Sequence, residues 1–222
     1  MALNEHYDKY FNIGIKSFGY CNIIDIINHF YKTYKLPIVS IGSGIGAIEY
    51  LAKNNNNNIN WICIDINNNP IDFPSNANQY INEPLMKINY NTCDELINNN
   101  NNIVGNCLLF LNWCLPNNSH YDFEAIIKLK PLAILSIYED YDGGNGAAGG
   151  EMFYNWTKNN NDYHLKEEYS LYADKYHHDD DELMDIRIGW WQSNNLDDID
   201  DLIIKGYPCI YHGNRKQSCI IS

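Results

Sequence analysis

Long apolar runs and targeting segments are scarce in this 222-residue chain. No apolar stretch approaches the roughly 20 residues that a membrane-spanning helix needs. Residues 1–6, Met-Ala-Leu-Asn-Glu-His, carry neither the basic nor the apolar part of a signal peptide. We therefore expect an intracellular, cytoplasmic protein without a membrane partner.

Basic residues are also scarce. Fifteen Lys and Arg stand against 28 Asp and Glu, which gives a formal net charge of −13. Proteins that bind nucleic acids usually present a basic stripe to the phosphates, and the basic residues of this chain are scattered. The charge balance therefore disfavours nucleic acid as a partner or substrate.

The seven cysteines form neither a C-x-x-C pair nor a zinc-binding spacing. Cys63 and Cys107 lie in apolar runs, where a reduced thiol behaves as a small apolar side chain. The run His177–Asp181 contains metal-ligand residue types, but consecutive loop residues rarely converge on one ion. A solvated charge cluster is the favoured interpretation, and no metal site is predicted.

Enough apolar residues are present for one globular domain spanning residues 1–222, since 45% of the chain is hydrophobic and 14% is aromatic. Before Pro37, apolar side chains recur at helical spacing at positions 23, 24, 27, 30, 31 and 34. We predict that residues 1–36 form a helical cover on the sheet edge and that residues 37–222 form an α/β core.

A glycine-rich turn between a strand and a helix is the most informative feature of the core. The apolar run Ile38–Ile41 predicts a buried strand, Gly42, Gly44 and Gly46 follow it, and a helix is predicted over Ala47–Lys53. Because glycine has no Cβ, the backbone of such a turn can approach a nucleotide-like ligand closely.

A second apolar run, Ile59–Asp65, predicts the next strand and ends in an acidic residue. Asp65 lies 19 residues after Gly46, close to the spacing of about 20 residues for a carboxylate that binds a ribose in a βαβ nucleotide site. A carboxylate can accept hydrogen bonds from two neighbouring hydroxyls. The alternative is that Asp65 only terminates the strand.

The remaining pattern predicts a doubly wound, mostly parallel, Rossmann-type α/β sheet that closes with an antiparallel strand pair. Asparagine-rich tracts at 54–58, 98–102 and 159–161 are placed between elements. Trp190 and Trp191 are adjacent on a predicted strand and must face opposite sides. The predicted strands are 107–111, 132–138, 164–172 and 184–192, and the predicted helices are 121–128 and 151–158.

From Pro37 onward this pattern resembles the class I S-adenosylmethionine-dependent methyltransferases. The resemblance implies S-adenosylmethionine as cofactor, a glycine loop beside its methionine part, and an acidic residue on its ribose. Many members have an acidic residue two positions before the first glycine, where this chain has Ser40, which we place next to the cofactor. The matching positions are Gly42, Gly44 and Gly46 for the loop, Asp65 for the ribose, and Asn112-Trp113 after the fourth strand. Asp94 or Asn91 would contact the adenine.

Methyl transfer needs the acceptor to be held in line with the methyl group, and a base only where the acceptor must lose a proton. In the family, the segment after the fourth strand faces the substrate, which assigns Asn112 and Trp113 to the acceptor side. Packing of Trp113 on the sheet end is the simpler alternative. Glu139 is the candidate general base or amine-orienting group, unless it belongs to a solvated acidic turn. The glycine-rich loop 142–150 suits a lid.

The sequence therefore predicts a methyltransferase acting on a small-molecule or protein acceptor, and it leaves the oligomeric state open. Two alternatives remain. The run Gly42–Ala47 also satisfies G-x-G-x-x-A, and Tyr154 with Lys158 forms a Y-x-x-x-K pair, as in NAD(P)-dependent short-chain oxidoreductases. An inactive methyltransferase fold used as a binding or scaffold protein would also explain the departures at Ser40 and in the acceptor segment.

Overall fold

A computed structural model describes residues 20–44, 46–65, 86–112, 120–139, 150–171 and 186–196. The helices are α1 (Tyr20–Tyr34), α2 (Ala47–Asn55), α3 (Cys93–Asn99), α4 (Tyr121–Leu129) and α5 (Glu151–Asn159), with a short 3₁₀ helix at Asn101–Ile103. The strands are β1 (Ile38–Ile41), β2 (Trp61–Ile64), β3 (Ile88–Tyr90), β4 (Leu108–Asn112), β5 (Ala133–Glu139), β6 (Tyr163–Leu171) and β7 (Ile186–Ser193).

The strands of the described ranges form one sheet in the order β3-β2-β1-β4-β5-β7-β6. Neighbours from β3 to β5 are parallel, whereas β7 runs antiparallel to both β5 and β6. The predicted mostly parallel sheet with a terminal antiparallel pair is therefore confirmed. The strand order reverses between β1 and β4, which is where open α/β sheets form a ligand crevice at their carboxyl ends.

Helices cover both faces of the sheet and divide the core into two layers. One layer contains α1 and α2, which pack on inward residues such as Ile38, Cys63 and Trp190. The other contains α3, α4 and α5, which pack on residues such as Val39, Leu109 and Trp191. Trp190 and Trp191 face opposite sides, as alternation along a strand requires, and both are buried.

The structure places α1 across a face of the sheet, whereas the sequence suggested the sheet edge. The Phe30 ring lies 5.2 Å from the ring of Trp190, measured between centroids. The Tyr34 hydroxyl donates to Gln192 Oε1 at 2.7 Å and accepts a hydrogen bond from Trp190 Nε1 at 3.1 Å. The apolar stripe predicts that the helix is covered, but its docking site depends on β7, which is distant in sequence.

The asparagine tracts do not lie wholly between elements, because each one begins inside a helix. Asn54, Asn98 and Asn159 are helical. In α3 and α5 an asparagine amide donates back to the carbonyl four residues earlier, from Asn99 to Glu95 and from Asn159 to Asn155. These bonds supplement the final turns of the helices, where asparagine has poor intrinsic propensity.

Among the helices of the described residues, none is long and apolar enough to cross a membrane.

Candidate functional site

The glycine loop and Asp65 meet at the carboxyl edge of the sheet because β1 and β2 end in register. Ile41, the last residue of β1, pairs with Ile64, the last residue of β2. The Gly42 amide then donates to the Ile64 carbonyl at 3.1 Å. The residue after each strand therefore lies at the same edge.

The glycines of the loop are required by the backbone conformation. Gly42, Gly44 and Gly46 have φ values of 73°, 54° and 73°, all in the left-handed region. Residues with a Cβ pay about 1–2 kcal/mol for this conformation. The alternating glycine pattern thus specifies a tight turn between β1 and α2.

Asp65 contacts the loop directly. The Gly44 amide donates to Asp65 Oδ2 at 2.7 Å. A carboxylate offers about four lone-pair sites on its two oxygens. Asp65 therefore joins the end of β2 to the loop through a group that accepts hydrogen bonds from amides and hydroxyls.

The surroundings of the three glycines differ. Gly42 and Gly44 are partly accessible, whereas Gly46 is buried. A Cβ placed on Gly46 would lie 2.4 Å from the Met86 Cβ. The missing side chain at Gly46 makes room for the protein's own chain, and the cofactor roles of the three glycines remain predictions.

Ser40 is buried at the end of β1, and its predicted place next to the cofactor remains a prediction. It is 0% exposed, and its hydroxyl donates to Glu49 Oε1 at 2.5 Å. Glu49, also 0% exposed, lies in the first turn of α2 and was not singled out from the sequence. The available signal was an acidic residue on the apolar side of a helix that directly follows the glycine loop.

At the carboxyl ends of β4 and β5, the backbone brings two predicted residues to the same edge. Asn112 ends β4 and pairs with Ile137, and Glu139 ends β5 two residues further on. Trp113 and residues 142–149 of the predicted lid lie outside the described residues. The roles assigned to Asn112, Trp113 and Glu139 remain predictions.

Asp122 is a second acidic residue that sequence reasoning missed. It is 2% exposed, and its carboxylate accepts hydrogen bonds from the amides of Phe123 and Gly150, both at 2.7 Å. These contacts join the start of α4 to the start of α5 at the carboxyl edge of the sheet. The two partners are 28 residues apart in sequence, so no local pattern reveals the contact.

The two candidate adenine contacts follow β3. The Asn91 amide donates to Glu95 Oε2 at 2.8 Å. The Asp94 side chain is 63% exposed and forms an ion pair with Lys128 at 2.8 Å. The hydrogen bonds that Lys128 donates to Asp94 and then to Glu124 raise the pKa of Lys128. Neither adenine assignment is tested by these contacts.

A polar cleft of about 270 Å³ lies at the other end of the sheet, between α5 and the β6–β7 pair. Within it, the Glu168 carboxylate accepts hydrogen bonds from the Tyr138 hydroxyl and from Arg187 Nη1, the latter at 3.2 Å. Tyr154 and Lys158, the pair that suggested an oxidoreductase, also line this cleft.

The described cysteines Cys63, Cys93 and Cys107 are free. Burial raises the pKa of the Cys93 and Cys107 thiols to about 12, so both are protonated at neutral pH. Across the described ranges, no group of three or more His, Cys, Asp or Glu side chains is arranged to hold a metal ion. The run His177–Asp181 lies outside those ranges.

Comparison with known proteins supports the fold. Models of protein families gave no match, and neither did curated protein sequences. A candidate O-methyltransferase from Klebsiella pneumoniae is 12% identical with a TM-score of 0.54, over 86% of this chain and 89% of that chain. A SAM-dependent methyltransferase from Anabaena variabilis is 9% identical with a TM-score of 0.45, over 87% and 96% of the two chains. M. capricolum TrmK in complex with S-adenosylhomocysteine is 15% identical with a TM-score of 0.41, over 77% and 71%.

Together with the strand order and the antiparallel terminal pair, the Klebsiella similarity shows that this chain has the class I methyltransferase fold. At 12% identity the similarity concerns the fold alone.

Proposed function

We propose that the protein binds S-adenosylmethionine at the β1–β2 edge and transfers its methyl group to a small-molecule or protein acceptor. The observation that carries this proposal is the 2.7 Å hydrogen bond between the Gly44 amide and Asp65 Oδ2. It brings a bare backbone turn and a carboxylate together at the strand-order reversal, where nucleotide-like ligands bind open α/β sheets.

The described residues fit the cofactor in two respects. Asp65 places a carboxylate, a group that accepts hydrogen bonds from ribose hydroxyls, at the end of β2 beside the loop. Gly42 and Gly44 leave backbone accessible beside it. When bound, the cofactor supplies an activated methyl group on a sulfonium, and the protein's task is to position the acceptor and exclude water.

The acceptor side is assigned to the ends of β4 and β5. Asn112 would orient the acceptor, and Glu139 would take its proton or hold an amine. The net charge of −13 favours an acceptor other than nucleic acid.

Ligand binding tests the cofactor. Isothermal titration calorimetry and thermal shift should show binding of S-adenosylmethionine and S-adenosylhomocysteine but not of NADH. Binding of NADH alone would overturn the proposal in favour of an oxidoreductase. Absence of binding by all three in folded protein would favour a scaffold role.

Two variants locate the site. Gly44→Val should abolish binding, because the position requires a left-handed φ and its amide contacts Asp65. Asp65→Ala should weaken binding by roughly tenfold or more, as expected for loss of charge-assisted hydrogen bonds. Asp162→Ala, at an exposed turn before β6, is the matched control and should bind normally. Equal affinity in Asp65→Ala and the control would place the site elsewhere.

Turnover tests the reaction itself. Release of S-adenosylhomocysteine should be followed with panels of small-molecule and protein acceptors. Glu139→Gln should lower the rate with an active acceptor while cofactor affinity stays unchanged. A parallel loss of cofactor affinity would contradict the acceptor-side assignment of Glu139.

A further inference from the structure

The polar cleft beside α5 has aromatic walls. Four aromatic side chains line it: Tyr138, Tyr154, Tyr163 and Trp191. The rings of Tyr138 and Trp191 pack on each other, with their centroids 5.7 Å apart, and both residues are buried. The Tyr163 hydroxyl donates to the Pro131 carbonyl at 2.8 Å, which holds its ring in place. Walls that are already packed favour a flat, ring-containing ligand, because little side-chain freedom is lost on binding.

The cleft is small and is enclosed by regular structure. Its lining residues belong to α5 and to the strands β5, β6 and β7, apart from Asn160 at the end of α5. Its volume of about 270 Å³ lies just below the range of about 300–1,000 Å³ that is usual for sites of drug-sized ligands. A compound with one aromatic ring and one or two substituents matches this volume, whereas a dinucleotide is too large for it.

The carboxylate in the cleft already has partners. Glu168 accepts hydrogen bonds from the Tyr138 hydroxyl and from Arg187 Nη1, and the guanidinium of Arg187 balances its charge. Glu168 is the one acidic side chain among the described residues that line the cleft. A cationic ligand would therefore have to displace Arg187 in order to pair with a carboxylate there.

Lys158 adds a positive charge to the same cleft. It lies in the last turn of α5 and is exposed. Within the described ranges its ammonium group has neither an ion pair nor a hydrogen bond. The chain as a whole has 28 Asp and Glu against 15 Lys and Arg. The described lining of the cleft reverses this balance, with two basic side chains and one acidic side chain, which favours an anionic ligand.

We propose that the polar cleft is a binding site for a small aromatic carboxylate, whose ring packs against the aromatic walls and whose carboxylate pairs with Lys158. The site is separate from the proposed cofactor site, because Gly44 and Asp65 meet at the β1–β2 end of the sheet. Binding at the cleft requires neither S-adenosylmethionine nor methyl transfer.

Calorimetry with 4-hydroxybenzoate and its neutral analogue 4-hydroxybenzamide tests the class of ligand. The carboxylate should bind more tightly than the amide by roughly fivefold at low salt, as expected for an exposed ion pair of good geometry. The difference should shrink at about 0.5 M salt, because exposed charges are screened. Equal affinities of the two compounds at low salt, or no binding of either at millimolar concentration, would overturn the proposal.

A pair of lysine variants locates the charge. Lys158→Gln should weaken 4-hydroxybenzoate by roughly fivefold and leave 4-hydroxybenzamide unchanged. Because Lys158 is exposed, the substitution leaves the core intact. The matched control is Lys53→Gln, which removes an exposed lysine from the last turn of α2 and should change neither affinity. Equal losses in the two variants would show that the carboxylate responds to overall charge and would overturn the site.

Two adjacent tryptophans report where the compound binds in wild-type protein. Trp191 lines the cleft, whereas Trp190 belongs to the core layer on the opposite face of the sheet. In NMR spectra, 4-hydroxybenzoate should shift the indole resonances of Trp191 and leave those of Trp190 in place. An excess of S-adenosylmethionine should not displace the compound. Unchanged Trp191 resonances in the presence of binding, or displacement by S-adenosylmethionine, would contradict a separate site at this cleft.

Discussion

The two ends of the sheet are built by different means. At the β1–β2 end, main-chain groups shape the site: three left-handed glycines form the turn, and a backbone amide contacts Asp65. At the β5–β7–β6 end, side chains shape the cleft, with Trp191 along one wall and an ion pair between Glu168 and Arg187 across it. A backbone site is encoded in a short stretch of sequence, whereas a side-chain cleft requires distant strands to be paired first.

The largest expected loss of stability concerns the β1–β2 end of the sheet. Gly46→Ala should destabilise the protein by about 3 kcal/mol, the combined cost of a left-handed φ and of a Cβ forced against Met86. Urea denaturation with a common slope measures the change. Cofactor affinity should fall as well, because the turn continues into Gly44.

Gly105 is the matched control for this variant. It has the same φ of 73°, but a Cβ there would meet nothing within 4 Å. Gly105→Ala should cost about 1 kcal/mol, the conformational part alone. Equal losses in the two variants would show that the contact with Met86 contributes nothing.

The next largest expected loss of stability concerns the β5–β7–β6 end of the sheet. A Cβ on Gly189 would lie 2.2 Å from the Trp191 ring, which folds back over this position of β7. Gly189→Ala should therefore destabilise the protein by about 2 kcal/mol through overpacking. Cofactor affinity should be unchanged, because the variant lies at the far end of the sheet.

A smaller ring at position 191 tests whether contact with the indole causes the destabilisation by Gly189→Ala. Gly189→Ala combined with Trp191→Phe should lose less stability than the two single variants added together, since the new methyl group would fill space vacated by the indole. Strict additivity would mean that the ring and the glycine are not coupled.

Sequence reasoning succeeded where a feature depends on neighbours along the chain. The strand, the glycine turn and α2 were predicted at nearly their observed bounds, and alternation placed Trp190 and Trp191 on opposite faces. Their periodicities follow directly from backbone geometry. The overall sheet followed from the same local signals together with the family resemblance.

The missed residues depend on contacts between distant segments. The Asp122 carboxylate accepts a hydrogen bond from the Gly150 amide, and the Glu168 carboxylate accepts one from the Tyr138 hydroxyl, 30 residues away. The docking of α1 on β7 joins Tyr34 to Gln192 across 158 residues. An acidic residue in a first helical turn is ordinarily exposed, so nothing in the local pattern distinguishes Asp122 from a surface group.

Asp122 gives a test at the carboxyl edge of the sheet, between its two ends. Asp122→Ala leaves the buried Gly150 amide without its acceptor and should cost about 2 kcal/mol. Asp122→Asn keeps one oxygen and should lose less. Hydrogen exchange at the Gly150 amide should accelerate in the order wild type, asparagine, alanine. Unchanged exchange in the alanine variant would show that α5 is held in place by its apolar contacts alone.

The smallest effect concerns pH at the α1–β7 contact. Burial, then Lys166 and Lys32, lower the pKa of His29 from its ordinary value of 6.5, and its ring lies 5.5 Å from that of Trp190. The folded state binds the His29 proton more weakly than the unfolded state does. The free energy of unfolding should therefore be unaffected by protonation of His29 above pH 6.5 and should decrease as the pH falls towards the folded pKa.

Urea denaturation at pH 7.5 and 5.5 should show that the pH decrease lowers the free energy of unfolding more in wild type than in His29→Gln. Lys166→Gln should raise the pKa of His29, measured by NMR, and make the pH dependence of wild-type stability smaller. Identical pH profiles for wild type and His29→Gln would show that α1 is anchored on β7 without any contribution from the neutral imidazole, leaving Tyr34 and Phe30 as its anchors.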